Sequence, residues 1–263
     1  MILYVLIFLL AVYLLLSNKE GFTTNTQYIM TDKVYLDDNI YDNFYTYHYD
    51  DMIVTIPYYE ELIKMTKHYL CQDSLVLCIK SRNGHFVEML SGITPAIGVD
   101  NSKSMIQMSK FKYPTNNYLL SSVLKKNTFK DNKFTHVFCP LLTIHTIKDI
   151  NQLFNNVSDW LVHTGIFIIC VADINTLPLY KMVNHNPSPC FSSKYNYSIE
   201  ISNHSLIEKI TDSNYKTRKN IQTLYDYTEE TIISKCKPYG LHVKETLKMS
   251  IPFTVLIMQK KSI

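Results

Sequence analysis

Arginine is almost missing from this 263-residue chain: it occurs only at Arg82 and Arg218, and every other base is lysine. Its planar fork is what grips phosphates and reads base edges, so a nucleic-acid partner is not expected. A formal net charge of +3 is likewise too small to call for a polyanion. Alanine occurs only at positions 11, 96 and 172, and there are just 6 glycines among many lysines, isoleucines, asparagines and 20 tyrosines. That bias points to an A+T-rich coding sequence, in which glycine is lost by mutational drift as well as by loss of function. The six cysteines contain no C-x-x-C pair and no zinc spacing, so no metal site is expected. Cys78, Cys139 and Cys170 lie in apolar runs and read as buried reduced thiols, which suits a cytosol-like compartment. No P-loop, nucleophile elbow or H-E-x-x-H motif is found.

What the chain does have begins with a hydrophobic run. Met1 to Leu16 reads MILYVLIFLLAVYLLL and carries no charge before Lys19. It is a little shorter than the ~20 residues that span a bilayer core. It also lacks the basic start and small-residue cleavage site of a signal peptide. Residues 1–18 are therefore read as a single-pass membrane anchor, with the folded part on the cytosolic side. Residues 19–36 are polar and read as a linker. Residues 37–263 form the domain.

Within that domain short apolar runs alternate with helical periodicity. SLVLCI, AIGVD, the stretch from Asn117 to Leu120, FTHVFC and IFIICV read as strands. The tyrosine-rich stretch from Asp37 and the periodic segment around 56–69 read as one or two helices. Further helices are expected over 84–90, from near Ser102 through Met108, over about 147–162, which Gly165 stops, and over 229–236, with Gly240 as a cap. Strands that are apolar throughout, with helices between them, imply a parallel sheet covered on both faces. Leu241 to Met249 and Phe253 to Lys260 read as two closing antiparallel strands. About 177–227 is turn-rich and weakly periodic, and reads as an irregular insertion.

In such sheets ligands bind beyond the carboxyl ends of the strands. That selects Lys80 to Gly84, Asp100, Ser121 to Val123 and Cys139 to Thr143. Asp100 can accept both ribose hydroxyls of a nucleoside-containing cofactor, or cap the helix that begins near Ser102. Asp50 and Asp51 read as solvent-facing.

The order of elements from Tyr41 to Asp173 resembles class I S-adenosylmethionine-dependent methyltransferases, a doubly wound Rossmann-like fold. VLCIKSRNGHFVEML looks like the family's first motif, IGVDNSKSMIQMSK like the second, and YLLSSVLKKNTFKDNKFTHVFCPLLTIHTI like the third and fourth. YDNFYTYHYDD is similar to a tyrosine-rich opening helix that closes over the cofactor. The combination also resembles membrane-anchored methyltransferase-like proteins of large amoeba-infecting DNA viruses. The resemblance implies S-adenosylmethionine as cofactor, with Cys78, Lys80, Gly84, Asp100, Ser122, Val123 and Cys139 at its site. His145, after the fourth strand, becomes a candidate base or a structural loop histidine.

Departures from the family pattern are specific. Cys78 stands where the first acid is usual, and of the glycine-rich turn only Gly84 remains. Ser122 and Thr135 replace two further acids. The expected function is a membrane-tethered methyltransferase acting on a small molecule, a lipid or a protein. The alternative is a degenerate methyltransferase fold kept as a structural or interaction protein. A nicotinamide dehydrogenase would need a fuller glycine fingerprint. Room for an adenosyl group beside Asp100 would favour activity, and Lys80 or Arg82 filling that space would favour degeneracy.

Overall fold

The computed structural model describes residues 32–261. The expected anchor and residues 19–31 of the linker lie outside them. Strand β1 (Lys33–Leu36) is followed by two short helices, α1 (Asn43–Tyr47) and α2 (Tyr49–Met52), and by α3 (Ile56–Thr66). The alternation then runs β2 (Val76–Ile79), α4 (His85–Ser91), β3 (Ala96–Asp100), α5 (Lys103–Lys112), β4 (Asn117–Leu120), β5 (Phe134–Cys139), α6 (Ile150–Trp160) and β6 (Leu161–Ala172). Helix α7 (Pro189–Ser192) precedes a meander, β7 (Tyr195–Ser202), β8 (Ser205–Asp212) and β9 (Thr217–Thr223). Helix α8 (Glu229–Cys236) and strands β10 (Leu241–Lys248) and β11 (Phe253–Lys260) close the chain.

Seven strands form one sheet in the order β10-β11-β6-β5-β2-β3-β4. The pairs from β6 to β4 are parallel, whereas β11 runs antiparallel to both β6 and β10. Period-2 alternation sorts side chains to the two faces. Ile166, Ile168 and Cys170 pack with Phe86 and Leu90 of α4 on one side. Phe167, Ile169 and Val171 pack with Leu153, Phe154 and Trp160 of α6 on the other. A sheet covered on both faces is the expected doubly wound architecture, a mixed α/β Rossmann-like fold.

Two boundaries differ from the periodicity. Helix α6 ends at Trp160, because Leu161 already has extended backbone at ψ 137° and starts β6. Gly165 is therefore inside a strand, where a Cβ would lie 2.9 Å from the Val162 carbonyl, and is not the helix stop.

The larger difference is a second sheet of order β1-β9-β8-β7. The stretch 177–227 is not irregular, and residues 33–36 are strand rather than linker. Its alternation is hidden because the inward positions are polar: Glu208, Arg218, Asn220 and Gln222 are all buried. Hydrophobic patterning cannot detect a strand whose inner face carries charge. Among the described residues no helix is long and apolar enough to cross a membrane.

Candidate cofactor and acceptor site

The turn after β2 retains a glycine-like backbone without its glycines. Lys80, Arg82 and Gly84 have φ of 48°, 54° and 89°, so two cationic residues occupy left-handed positions. Each costs a non-glycine residue about 1 kcal/mol or more. The conformation is held from outside. The Arg82 N–H donates to Asp100 Oδ2 at 2.9 Å, Ser81 N–H donates to the Val99 carbonyl at 3.0 Å, and Ser109 Oγ donates to the Arg82 carbonyl at 2.8 Å. Asp100 Oδ1 accepts from Ser102 N–H at 2.9 Å, and Ser102 Oγ caps α5 by accepting from Met105 N–H. Asp100 thus ties the first turn to the second helix.

Beyond the ends of β2, β3 and β4 lies a cleft of about 740 Å³, bordered by Lys80, Asp100, Ser122, Val123, Asp38 and Tyr225. Lys80 borders it with a side chain that is 12% exposed, and its ammonium is 3.8 Å from Asp38. Burial, and then the nearby Arg82 charge, lower the Lys80 pKa from its ordinary value. A cation so enclosed favours an anionic neighbour.

Four of the seven residues selected from sequence therefore share one cleft: Lys80, Asp100, Ser122 and Val123. The other three do not border it. Cys78 and Cys139 are sealed in the core with their thiol pKa pushed up by burial. Gly84 starts α4 against Tyr118 and Ser109.

A second, narrower cavity opens between the carboxyl end of the large sheet and the inner face of the small one. It is lined by Tyr41, Tyr45, Tyr49 and Tyr59, by Pro140 to Thr143, and by Ile199, Leu206 and Glu208. Thr146 and Gln222 border both cavities. The Arg82 guanidinium enters over the Tyr41 ring, 4.4 Å from its centroid. Among the described residues no carboxylate lies within ion-pair distance of it. Glu208 Oε1 accepts from the hydroxyls of Tyr45 at 2.9 Å and Tyr197 at 2.6 Å. Burial raises the Glu208 pKa, opposed by those hydroxyls. Arg218 donates to Asp42, the Ile40 carbonyl and Asn220, and Asn220 Nδ2 in turn faces Glu208 Oε2 at 3.4 Å.

Sequence reading missed Glu208 because its strand went unseen; the tyrosine-rich segment was the one visible signal. His145 lies completely buried. Its Nδ1 contacts the Tyr225 carbonyl at 2.9 Å and its Nε2 accepts from Ala172 N–H at 3.1 Å, which leaves no free ring nitrogen to take a proton. Asp50 and Asp51 are not simply solvent-facing. Asp50 binds Asn83, His85 and Lys112, while Asp51 binds His48 and the Ser188 N–H.

This geometry agrees with what the chain is similar to. Residues 77–169 match the family described as Methyltransferase domain. The S-adenosylmethionine-dependent methyltransferase from Clostridium acetobutylicum superposes with a TM-score of 0.61 at 14% identity, covering 83% of this chain and 97% of its own. The CcbJ methyltransferase from Streptomyces caelestis gives 0.66 at 13% identity, covering 86% and 100%. The sugar N-methyltransferase KedS8 from a Streptoalloteichus species gives 0.54 at 13%, covering 78% and 87%. No curated protein matches the chain by sequence. The architecture is that of the class I methyltransferase fold.

Proposed function

We propose that the chain is an S-adenosylmethionine-dependent methyltransferase whose acceptor is a small molecule held between the two sheets. The observation that carries this reading is the open cleft beside Asp100, which lies beyond the carboxyl ends of the strands and is bordered by Lys80, Ser122 and Val123. Asp100 accepts one main-chain bond on each oxygen and retains lone pairs for ribose hydroxyls. Ser122 and Val123 border the far part of the cleft, where adenine would lie. Lys80, which borders the same cleft, supplies a cation for the cofactor's carboxylate. Bound there, S-adenosylmethionine would supply an electrophilic methyl group. The protein's part is then to position the acceptor and keep out water.

The narrow, tyrosine-lined second cavity supports a small acceptor over a protein or a nucleic acid. The neighbour KedS8, a sugar N-methyltransferase, fits that class. A membrane tether rests on the sequence of residues 1–18 alone, and would place the domain beside lipid-soluble acceptors. The viral likeness likewise rests on sequence alone.

A scaffold without activity is the second reading, favoured by the main-chain duties that Asp100 already has. Calorimetric titration of S-adenosylmethionine and S-adenosylhomocysteine into the full chain in detergent separates the two. Micromolar binding, lost in Asp100→Ala, is the expected result. A folded sample that takes up neither ligand would leave the scaffold.

A further inference from the structure

We infer that Glu208 is the group that receives the proton of the methyl acceptor, and that the acceptor is a small molecule presenting an N–H or O–H to it. This rests on the methyltransferase reading and deepens it. Glu208 is 2% exposed yet borders the tyrosine-walled cavity. Among the described residues it makes no ion pair. Its nearest cation acts on it indirectly: Asn220 lies between Glu208 and Arg218, whose charge partly offsets the effect of burial.

Its two oxygens are treated differently. Oε1 is saturated by the Tyr45 and Tyr197 hydroxyls, which fix the carboxylate plane from α1 and β7. Oε2 has only a long 3.4 Å contact with Asn220 Nδ2. The free acceptor capacity therefore sits on Oε2. Burial raises the Glu208 pKa, which makes it a better proton acceptor than a solvated carboxylate.

Arg82, from the turn after β2 of the large sheet, lines the same cavity. The cavity is thus basic towards the sheet and acidic towards the meander. An acceptor with an apolar body lies along Leu206, Ile199 and the tyrosines, and turns its protic end to Glu208. In the transfer, the acceptor's lone pair forms the new C–N or C–O bond. The electron pair of the donor's methyl–sulfur bond returns to sulfur and cancels the sulfonium charge. The acceptor's proton passes to Glu208 Oε2.

The test is ligand-observed NMR titration of the full chain in detergent with benzylamine, 4-methylphenol and toluene, three probes of similar shape. Wild type is expected to bind the amine or the phenol about tenfold more tightly than toluene. In Glu208→Gln that preference should shrink to about twofold while toluene binding stays. Preference for 4-methylphenol, which stays neutral, is the stronger support, because benzylamine binds as its ammonium ion and reports the carboxylate's charge. Equal binding of all three probes by wild type, or an undiminished preference in a folded Glu208→Gln, overturns the inference. If Glu208→Gln does not fold, Tyr197→Phe, which removes one hydroxyl from Oε1, is expected to weaken the preference measurably, and an unchanged preference counts against the inference. S-adenosylhomocysteine titration runs beside it. Its failure to bind wild type sinks the methyltransferase reading, whereas binding without a probe preference sinks the Glu208 assignment alone.

Discussion

The Arg82 main-chain N–H donates to the Asp100 carboxylate at 2.9 Å, across 18 residues of sequence. This bond joins the two segments that border the cleft. It also explains how a turn stripped of two glycines keeps its shape, since the carboxylate anchors the left-handed residue directly.

Asp100→Asn should therefore lose stability as well as ligand. Asp100 is 3% exposed and serves two main-chain donors, and an amide can turn only one oxygen to them. A buried donor left facing an NH₂ costs about 1–3 kcal/mol. Urea unfolding measures this, and an unchanged midpoint would show that the bonds are not made.

At Lys80 and Arg82, glycine should be better than alanine. Both substitutions remove the cation, so their difference isolates the backbone. With φ near +50°, Lys80→Gly is expected to be more stable than Lys80→Ala by about 1 kcal/mol, and the Arg82 pair to behave alike. Equal melting temperatures within each pair would mean that the turn relaxes.

Gly84→Ala should be poorly tolerated for two reasons. Its φ is +89°, and a Cβ there would stand 2.6 Å from Tyr118 Oη. Overpacking plus strain predicts a loss of about 2–4 kcal/mol in chemical denaturation. A loss below 1 kcal/mol would mean that Tyr118 moves away freely.

Asp50 makes stability depend on acidity below pH 4. Burial pushes its pKa up, but His85 and Lys112 outweigh this and hold it at about 2. A carboxylate with a depressed folded pKa contributes fully above its unfolded value of about 3.9, and that contribution fades as pH falls towards 2. The side chain is 42% exposed, so solvent screening limits the effect to about 1 kcal/mol. Melting curves from pH 5 to 2.5 should show wild type losing more than Asp50→Asn. Parallel curves would remove Asp50 from the acid response.

Thiol chemistry gives a quick check of the core. Cys71 and Cys190 are exposed, whereas Cys78, Cys139, Cys170 and Cys236 are buried with raised pKa, that of Cys170 to about 12. A disulfide reagent should titrate two thiols in the native protein and six in denaturant. Fast modification of four or more would contradict the packing.

By itself the sequence determined the large sheet and its order of elements. Runs such as VLCI and IFIICV are buried on both faces, and burial on both faces leaves an unbroken apolar signature. It also determined Lys80, Asp100, Ser122 and Val123 as neighbours, since the fold's topology carries strand ends to one edge. Only the tertiary structure decided the rest. Asp50 and Asp51 looked like a solvated acidic pair until α4 and α5 brought His85 and Lys112 against one of them. His145 looked free until the Ala172 and Tyr225 main chains took both its nitrogens. The meander β7 to β9 stayed invisible because its inward face carries Glu208, Arg218, Asn220 and Gln222. Those residues are polar because they face a cavity and a charge network rather than a hydrocarbon core. Periodicity reports burial in apolar surroundings, so it fades where strands are built to line a site.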